Sequence, residues 1–421
     1  MKSVISPIEE PASSLAPEEP EPTMLTGISV VIFGVLMQML VIGTYLYSFT
    51  FWVEPWSTEF EAATTTVMIL PTIYLYANSI GLLFFGKYLD KFPHRISVGI
   101  GLSAFSLSMF LISASSSLES IYLIYLFIVP FAVSFCGPVP AITLVSQVFH
   151  RRRGLAIGLV ALGTSLGGMV VPHLVVYGMS EVGWRGTNQA FGIIALVVVV
   201  IAFPLLRHVP NKVVTETVSA PVSKVPTRTF LRQKDFWFCI AASSGAYFVF
   251  MAMQFNMAPI ASEMGLATAE IAFTITLFTG GMVTGKILSG IMSEFIDPRY
   301  TYVLIGTLMI GSLGVLALQP AEIFILIGFY FFGVGAGSIL PLKGLVFGQI
   351  FGTANLGRVL GLAAPFGAIY SLGPVTASYF HSIFGNYNSV FFVLMAFLFI
   401  TVPLILLVRK LPAKEQGRNT V

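Results

Sequence analysis

With 421 residues, 56% of them hydrophobic and 10% charged, and a mean hydropathy of +0.88, the chain is too apolar to be soluble. Roughly a quarter of the residues of a soluble domain are charged, so water-facing enzyme folds are excluded. The formal net charge of +3 is small and one-sided in its placement, which reports topology and not affinity for nucleic acid.

Residues 1–24 hold Pro7, Pro11, Pro17, Pro20 and Pro22 among several glutamates and read as a disordered acidic tail, not a cleaved signal peptide. Apolar runs of roughly 20 residues or more then recur to about residue 408, each enough to cross a hydrocarbon core of about 30 Å. They predict helices near 27–52, 63–86, 96–115, 119–148, 154–179, 188–207, 236–260, 270–292, 300–318, 321–349, 357–382 and 389–409. None alternates with period two, so the expected fold is an all-α membrane protein of 12 transmembrane helices, not a barrel. The longest polar stretch, 208–235, carries Pro210, Pro221 and Pro226. It separates a six-helix bundle over 25–207 from a second over 236–410, with a tail over 411–421. Cys136 and Cys239 fall within apolar runs and read as packing residues.

Charge placement sets the expected orientation. Of 22 basic residues, 19 fall on one side of this topology, Arg185 alone falls on the other, and Lys286 and Lys343 lie within spans. The rule that cytoplasmic loops are positive then puts both termini and the central segment inside a cytoplasmic membrane.

The two halves echo one another. Gly86…Asp90…Arg95 follows the second span and Gly290…Glu294…Arg299 the eighth, both in the pattern G-x-x-x-acid-x-x-x-x-R. The fourth and tenth spans each carry a proline about two turns before a glutamine, Pro140 with Gln147 and Pro341 with Gln349. A six-plus-six duplication predicts a two-lobed carrier whose site lies between the lobes near the midplane.

Ionisable residues inside the membrane are costly and mark function. All 19 acidic residues fall in tails, loops or span ends, whereas Lys286 and Lys343 sit mid-span. Lys286 lies eight residues before Glu294 and Lys343 eight before Phe351, each roughly 12 Å above the cytoplasmic boundary. With no carboxylate at that depth, the missing countercharge is expected to come from an anionic substrate. Tyr47, Gln254, Asn256 and Tyr370 are its candidate polar companions. His173, well inside the fifth span, is a candidate proton site, weighed against a structural hydrogen-bonded role. Glycines at 163, 167 and 168 allow close helix approach, either as a sliding face between lobes or as static packing.

The motifs together resemble the major facilitator superfamily, and within it the monocarboxylate carriers and oxalate/formate antiporters. The resemblance is carried by the Gly86…Asp90…Arg95 loop and by Arg152-Arg153-Gly154-Leu155-Ala156-Ile157-Gly158 followed by Gly163-Thr164-Ser165-Leu166-Gly167-Gly168. Gly183-Trp184-Arg185 and Leu231-Arg232-Gln233-Lys234-Asp235-Phe236-Trp237 add to it. It implies that the Asp90 loop clasps the eleventh helix on the cytoplasmic side and steadies the outward-open state. It also aligns Lys286-Ile287-Leu288-Ser289-Gly290 with an eighth-helix segment whose arginine binds the substrate carboxylate. Where the monocarboxylate carriers have an aspartate one turn earlier, tied to proton coupling, this chain has Met282.

The expected function is secondary transport of small organic anions, mono- or dicarboxylates, with Lys286 as the main counter-charge. A proton or a counter-anion is the coupled species, the bilayer is the surrounding partner, no cofactor, metal or nucleic acid is called for, and the chain acts as a monomer. The alternatives are a carrier of another solute (a drug or aromatic compound) and a non-catalytic membrane sensor. Drug/proton antiporters of the superfamily usually need an acid in the first or fourth span, and this chain has none.

Overall fold

Backbone polarity limits the architecture available to this chain. In hydrocarbon every N–H and C=O needs a partner within its own segment, which leaves the helix for runs of this length. The computed structural model describes residues 24–89, 93–149, 153–206, 227–318, 321–352 and 355–409, and no strand occurs among them. Residues 1–23 of the expected N-terminal tail, the whole expected tail over 411–421, residues 208–226 of the central segment, and Asp90 lie outside the described residues.

In chain order the helical runs are α1 (Thr26–Tyr47), α2 (Ile69–Leu89), α3 (His94–Ala114), α4 (Leu118–Ser146), α5 (Leu155–Leu205), α6 (Lys234–Phe255), α7 (Thr268–Phe295), α8 (Pro298–Ala317), α9 (Glu322–Phe351), α10 (Arg358–Phe384) and α11 (Tyr387–Leu407). All except α2 are the 10 runs long and apolar enough to span a membrane. At 51 residues, α5 takes in the fifth and sixth predicted spans. The break between them is Gly183, with φ 68° and ψ 177°, a conformation that a residue bearing a Cβ rarely adopts. Their outward faces are apolar and uncovered, as at Phe295 (82% exposed) and Phe399 (73%), as lipid contact requires.

Arg185 explains why a charge follows this break. Its Nη1 donates to the carbonyls of Ser113 and Ser115 at 2.7 and 2.8 Å, satisfying orphan acceptors at the C-terminal end of α3. Nη2 pairs with Glu59 at 2.5 Å, and Trp184 Nε1 donates to the other Glu59 oxygen at 2.6 Å. The guanidinium lies 4.2 Å from the Trp184 ring centroid. One residue thus ties together three connections at the ends opposite the basic loops, called here the far ends.

The last turn of α1 is a π turn over Gly43–Tyr47, closed by Ser48 N–H donating to the Gly43 carbonyl at 2.9 Å. Such an insertion re-aims side chains. Tyr45 bonds Ser108 of α3, while Tyr47 reaches across to Met282 of α7.

Glycines set the closest approach in the second half. A Cβ on Gly281 would lie 2.2 Å from the Tyr330 carbonyl oxygen, and one on Gly285 2.0 Å from that of Val334. On the facing helix, Cβ atoms on Gly333 and Gly337 would each lie 2.1 Å from the carbonyl oxygens of Phe278 and Met282. The α7 and α9 backbones therefore touch directly, with room for Cα–H···O contacts and none for a side chain. In the first half, Gly163 and Gly167 abut the carbonyls of Val35 and Met39 on α1, which is packing within that half. Gly168 alone of the three meets the second half, at Thr279.

Gly285→Ala and Gly337→Ala should each cost about 1–3 kcal/mol by overpacking, read as a lower melting temperature in detergent. Gly290, beside which a Cβ would meet nothing within 4 Å, provides the control. Gly290→Ala should be neutral or mildly stabilising, and equal melting of all three variants would contradict the contact.

Candidate functional site

A helical Cα–Cβ bond tilts toward the helix N-terminus. α7 and α9 both run from the far ends to the basic-loop ends, so the stems of Lys286 and Lys343 rise away from the nearer surface. Snorkelling to that surface would reverse the tilt. Both side chains are half-buried instead of stretched into a loop.

Lys286 stands where the halves meet. Its Nζ donates to Ser165 Oγ of α5 at 3.1 Å. Ser165, 1% exposed, was missed by sequence reasoning; its only signal is its place within the Gly163–Gly168 cluster. The backbone just before Lys286 is held firmly, because the Ser338 hydroxyl is shared between the carbonyls of Gly285 (2.9 Å) and Val334 (2.8 Å). One turn earlier, Met282 Sδ accepts from the Tyr47 hydroxyl at 3.6 Å. Gly168 makes room there, since a Cβ on it would lie 2.9 Å from the Tyr47 ring.

Lys343 has aromatic neighbours. Its Nζ is 5.9 Å from the ring centroids of both Tyr247 on α6 and Phe347 on its own helix. Tyr247 packs on Tyr370 of α10 with centroids 5.4 Å apart, and Tyr370 hydrogen-bonds with Ser79 of α2. Sequence reasoning overlooked Tyr247, which sits between Ala246 and Phe248 like any aromatic of an apolar run.

Neither lysine pairs with a carboxylate among the described residues. The ion pairs found there are Arg185–Glu59, Arg299–Asp297, His381–Glu263 and Arg409–Asp235, all at helix ends.

The other candidates separate from this group. Asn256, 0% exposed, donates through Nδ2 to the carbonyls of Ala252 (2.9 Å) and Pro374 (3.0 Å) and accepts from the Tyr387 hydroxyl (3.3 Å). It stitches the break after α6 and has no group left for a solute. Gln254, equally buried, donates to the Leu46 carbonyl at 3.4 Å, and its Oε1 has no partner. His173 is exposed, with Nε2 2.9 Å from Thr276 Oγ1. The Thr276 hydroxyl also lies 3.1 Å from the Met169 carbonyl and 3.2 Å from that of Ala272, so which group donates follows the imidazole tautomer.

Gly86 lies in α2 and Arg95 is half-buried at the start of α3. In the second copy, Glu294 is exposed and Arg299 turns elsewhere. Its Nη2 meets Asp297 at 2.7 Å and its Nη1 donates to the Val408 carbonyl at 2.7 Å, which fastens the end of α11. Gly290 is an exposed helix position.

The halves are sealed together at the far ends. Ala258 N–H donates to Thr50 Oγ1 at 2.7 Å, and Phe49 meets Phe255 edge-on at 5.4 Å. Ser378 Oγ donates to Thr65 Oγ1 at 3.3 Å. A cavity of about 1000 Å³ on this side is lined by Glu54, Glu59, Trp184, Glu263 and Thr268, among others.

Residues 24–274 and 256–420 match the family model described as Major Facilitator Superfamily. The chain is 25% identical to monocarboxylate transporter 6 of Homo sapiens over 389 residues, 86% of this chain and 76% of that one. It is 26% identical to the MFS-type transporter pytF of Aspergillus terreus over 236 residues, 55% of this chain and 77% of the relative. Among solved structures it resembles a bacterial homolog of the human lysosomal transporter Spinster in its inward-facing, unoccupied conformation. There the TM-score is 0.74 at 15% identity, over 93% of this chain and 100% of that one.

Stability should separate the two kinds of buried polar group. Asn256→Ala strands the Pro374 carbonyl and the Tyr387 hydroxyl and should cost about 1–3 kcal/mol. Lys286→Met removes an ammonium that lacks a countercharge, so thermal stability of the solute-free protein should hold or rise. Differential scanning fluorimetry in detergent compares them.

Proposed function

The chain belongs to the major facilitator superfamily, so it is a multi-pass membrane transporter and not an enzyme, and from that premise we propose that its solutes are small organic anions, mono- or dicarboxylates. The observation that carries this reading is the half-buried Lys286 ammonium between the halves, with Ser165 as its hydrogen-bond acceptor and no carboxylate beside it among the described residues. A buried charge without a partner is costly, and a bound carboxylate offsets that cost. Closure over the occupied site is then easier than closure over the empty one, which couples movement of the protein to presence of the solute. The shared likeness to a monocarboxylate transporter supports the same class.

In this reading the basic loops and both termini face the cytoplasm. With the halves sealed at the far ends, Lys286 is served from the cytoplasmic side, and parting of the far-end contacts gives the alternate state. Tyr47 lies beside Met282, one turn before Lys286, and Tyr370 packs on Tyr247 beside Lys343. The segments Gly86…Asp90…Arg95 and Gly290…Glu294…Arg299 steady the state closed on the cytoplasmic side. His173 is the group we assign to proton coupling if the coupled species is a proton; anion exchange needs no such group.

Uptake of labelled lactate, oxalate and benzoate into proteoliposomes tests this. Lys286→Ala should lower uptake of the accepted acid at least about tenfold, the loss expected for a charge-assisted hydrogen bond of about 1.5–3 kcal/mol. Lys286→Arg should retain most of it. Unchanged uptake by Lys286→Ala would refute the assignment.

A further inference from the structure

We infer that Lys343, together with Tyr247 and Tyr370, holds a second carboxylate, so that the preferred solute is a dicarboxylate. This rests on the reading of Lys286 given above and narrows its substrate class.

Charge balance is the first ground. Two half-buried ammonium groups lie on adjacent helices, and neither has a carboxylate partner among the described residues. A monoanion neutralises one and leaves the other bare when the site closes. A dianion neutralises both.

Register is the second. A Cβ on Gly285 would lie against both the Val334 carbonyl and Ser338 Oγ, so Lys286 is level with about residue 337 of α9. Lys343 is then displaced by five or six residues along the shared direction, roughly 8–9 Å at a helical rise of about 1.5 Å per residue. Both stems lean toward the same end, so their heads keep that offset. Lysine stems are long enough to converge on the two ends of a short-chain dicarboxylate within it.

The third is the lining at Lys343. The Tyr247 and Phe347 rings, each 5.9 Å from Nζ, attract the cation only weakly at that distance. They orient the head without neutralising it. The Tyr247 hydroxyl has no hydrogen-bond partner among the described residues and is not sealed from solvent, so it is free to donate to a carboxylate oxygen. Tyr370 packs against the Tyr247 ring with centroids 5.4 Å apart.

The test compares succinate with monomethyl succinate, the same skeleton with one charge removed, in proteoliposomes at neutral pH. Wild type should take up succinate at least tenfold faster than the half-ester. Lys343→Gln should lose most of that preference, and Lys343→Arg should keep it. Absence of the preference in wild type overturns the proposal without recourse to any variant. So does a Lys343→Gln variant that lowers both solutes in the same proportion or leaves the preference intact. If wild type moves neither of these nor lactate, oxalate or benzoate, the organic-anion reading itself falls, a different result from failure of the second subsite alone.

Discussion

A half-buried ammonium group with no carboxylate beside it among the described residues is the constraint around which the second half of this molecule is built. Lys286 has a serine hydroxyl as its hydrogen-bond partner, and the described ion pairs all stand at helix ends. The backbone beside it is correspondingly stiff. Gly281, Gly285, Gly333 and Gly337 bring α7 and α9 into direct contact, and Ser338 grips the carbonyl of the residue preceding the lysine. The lysine head is thus offered from a scaffold with little freedom to relax around it, which keeps the electrostatic cost from being dissipated by local rearrangement.

The surrounding structure divides its polar groups by task. At the far ends Arg185, Trp184 and Glu59 close the connections of the first half, while Asp235 and Arg299 fasten the end of α11 in the second. Asn256 mends the backbone where α6 breaks before Pro259. Each is satisfied within its own half. The groups that reach across are neutral apart from Lys286 and include Tyr47, Thr50, Ser165, Gln254, Thr276 and the serine–threonine pair at 378 and 65.

Much of this was legible in the chain. Helical runs and the two mid-span lysines follow from hydropathy and charge alone, because a membrane leaves few other ways to place them. Side-chain roles were less legible for a physical reason. Asn256 and Gln254 are polar residues within an apolar run, and a run does not say whether such a group faces a solute or a neighbouring backbone; the fold turns both toward backbone. Ser165 and Tyr247 were passed over for the converse reason, since serine and tyrosine are common in such helices and only the neighbours brought by folding distinguish them. Arg299 shows a third case. Its spacing from Glu294 repeats the first half, yet Asp297, two residues away, offers a shorter loop to close and takes the guanidinium.

The seam between the halves has a mechanical consequence. Each ion pair among the described residues joins groups of one half, and the far-end seam relies on single neutral hydrogen bonds and aromatic edges. Neutral hydrogen bonds contribute only about 0.5–1.5 kcal/mol each, and the groups they release are hydroxyls and an amide that water can serve at once. In the proposed alternating-access reading, parting of the two blocks follows this compliant seam and leaves the interior of each block intact.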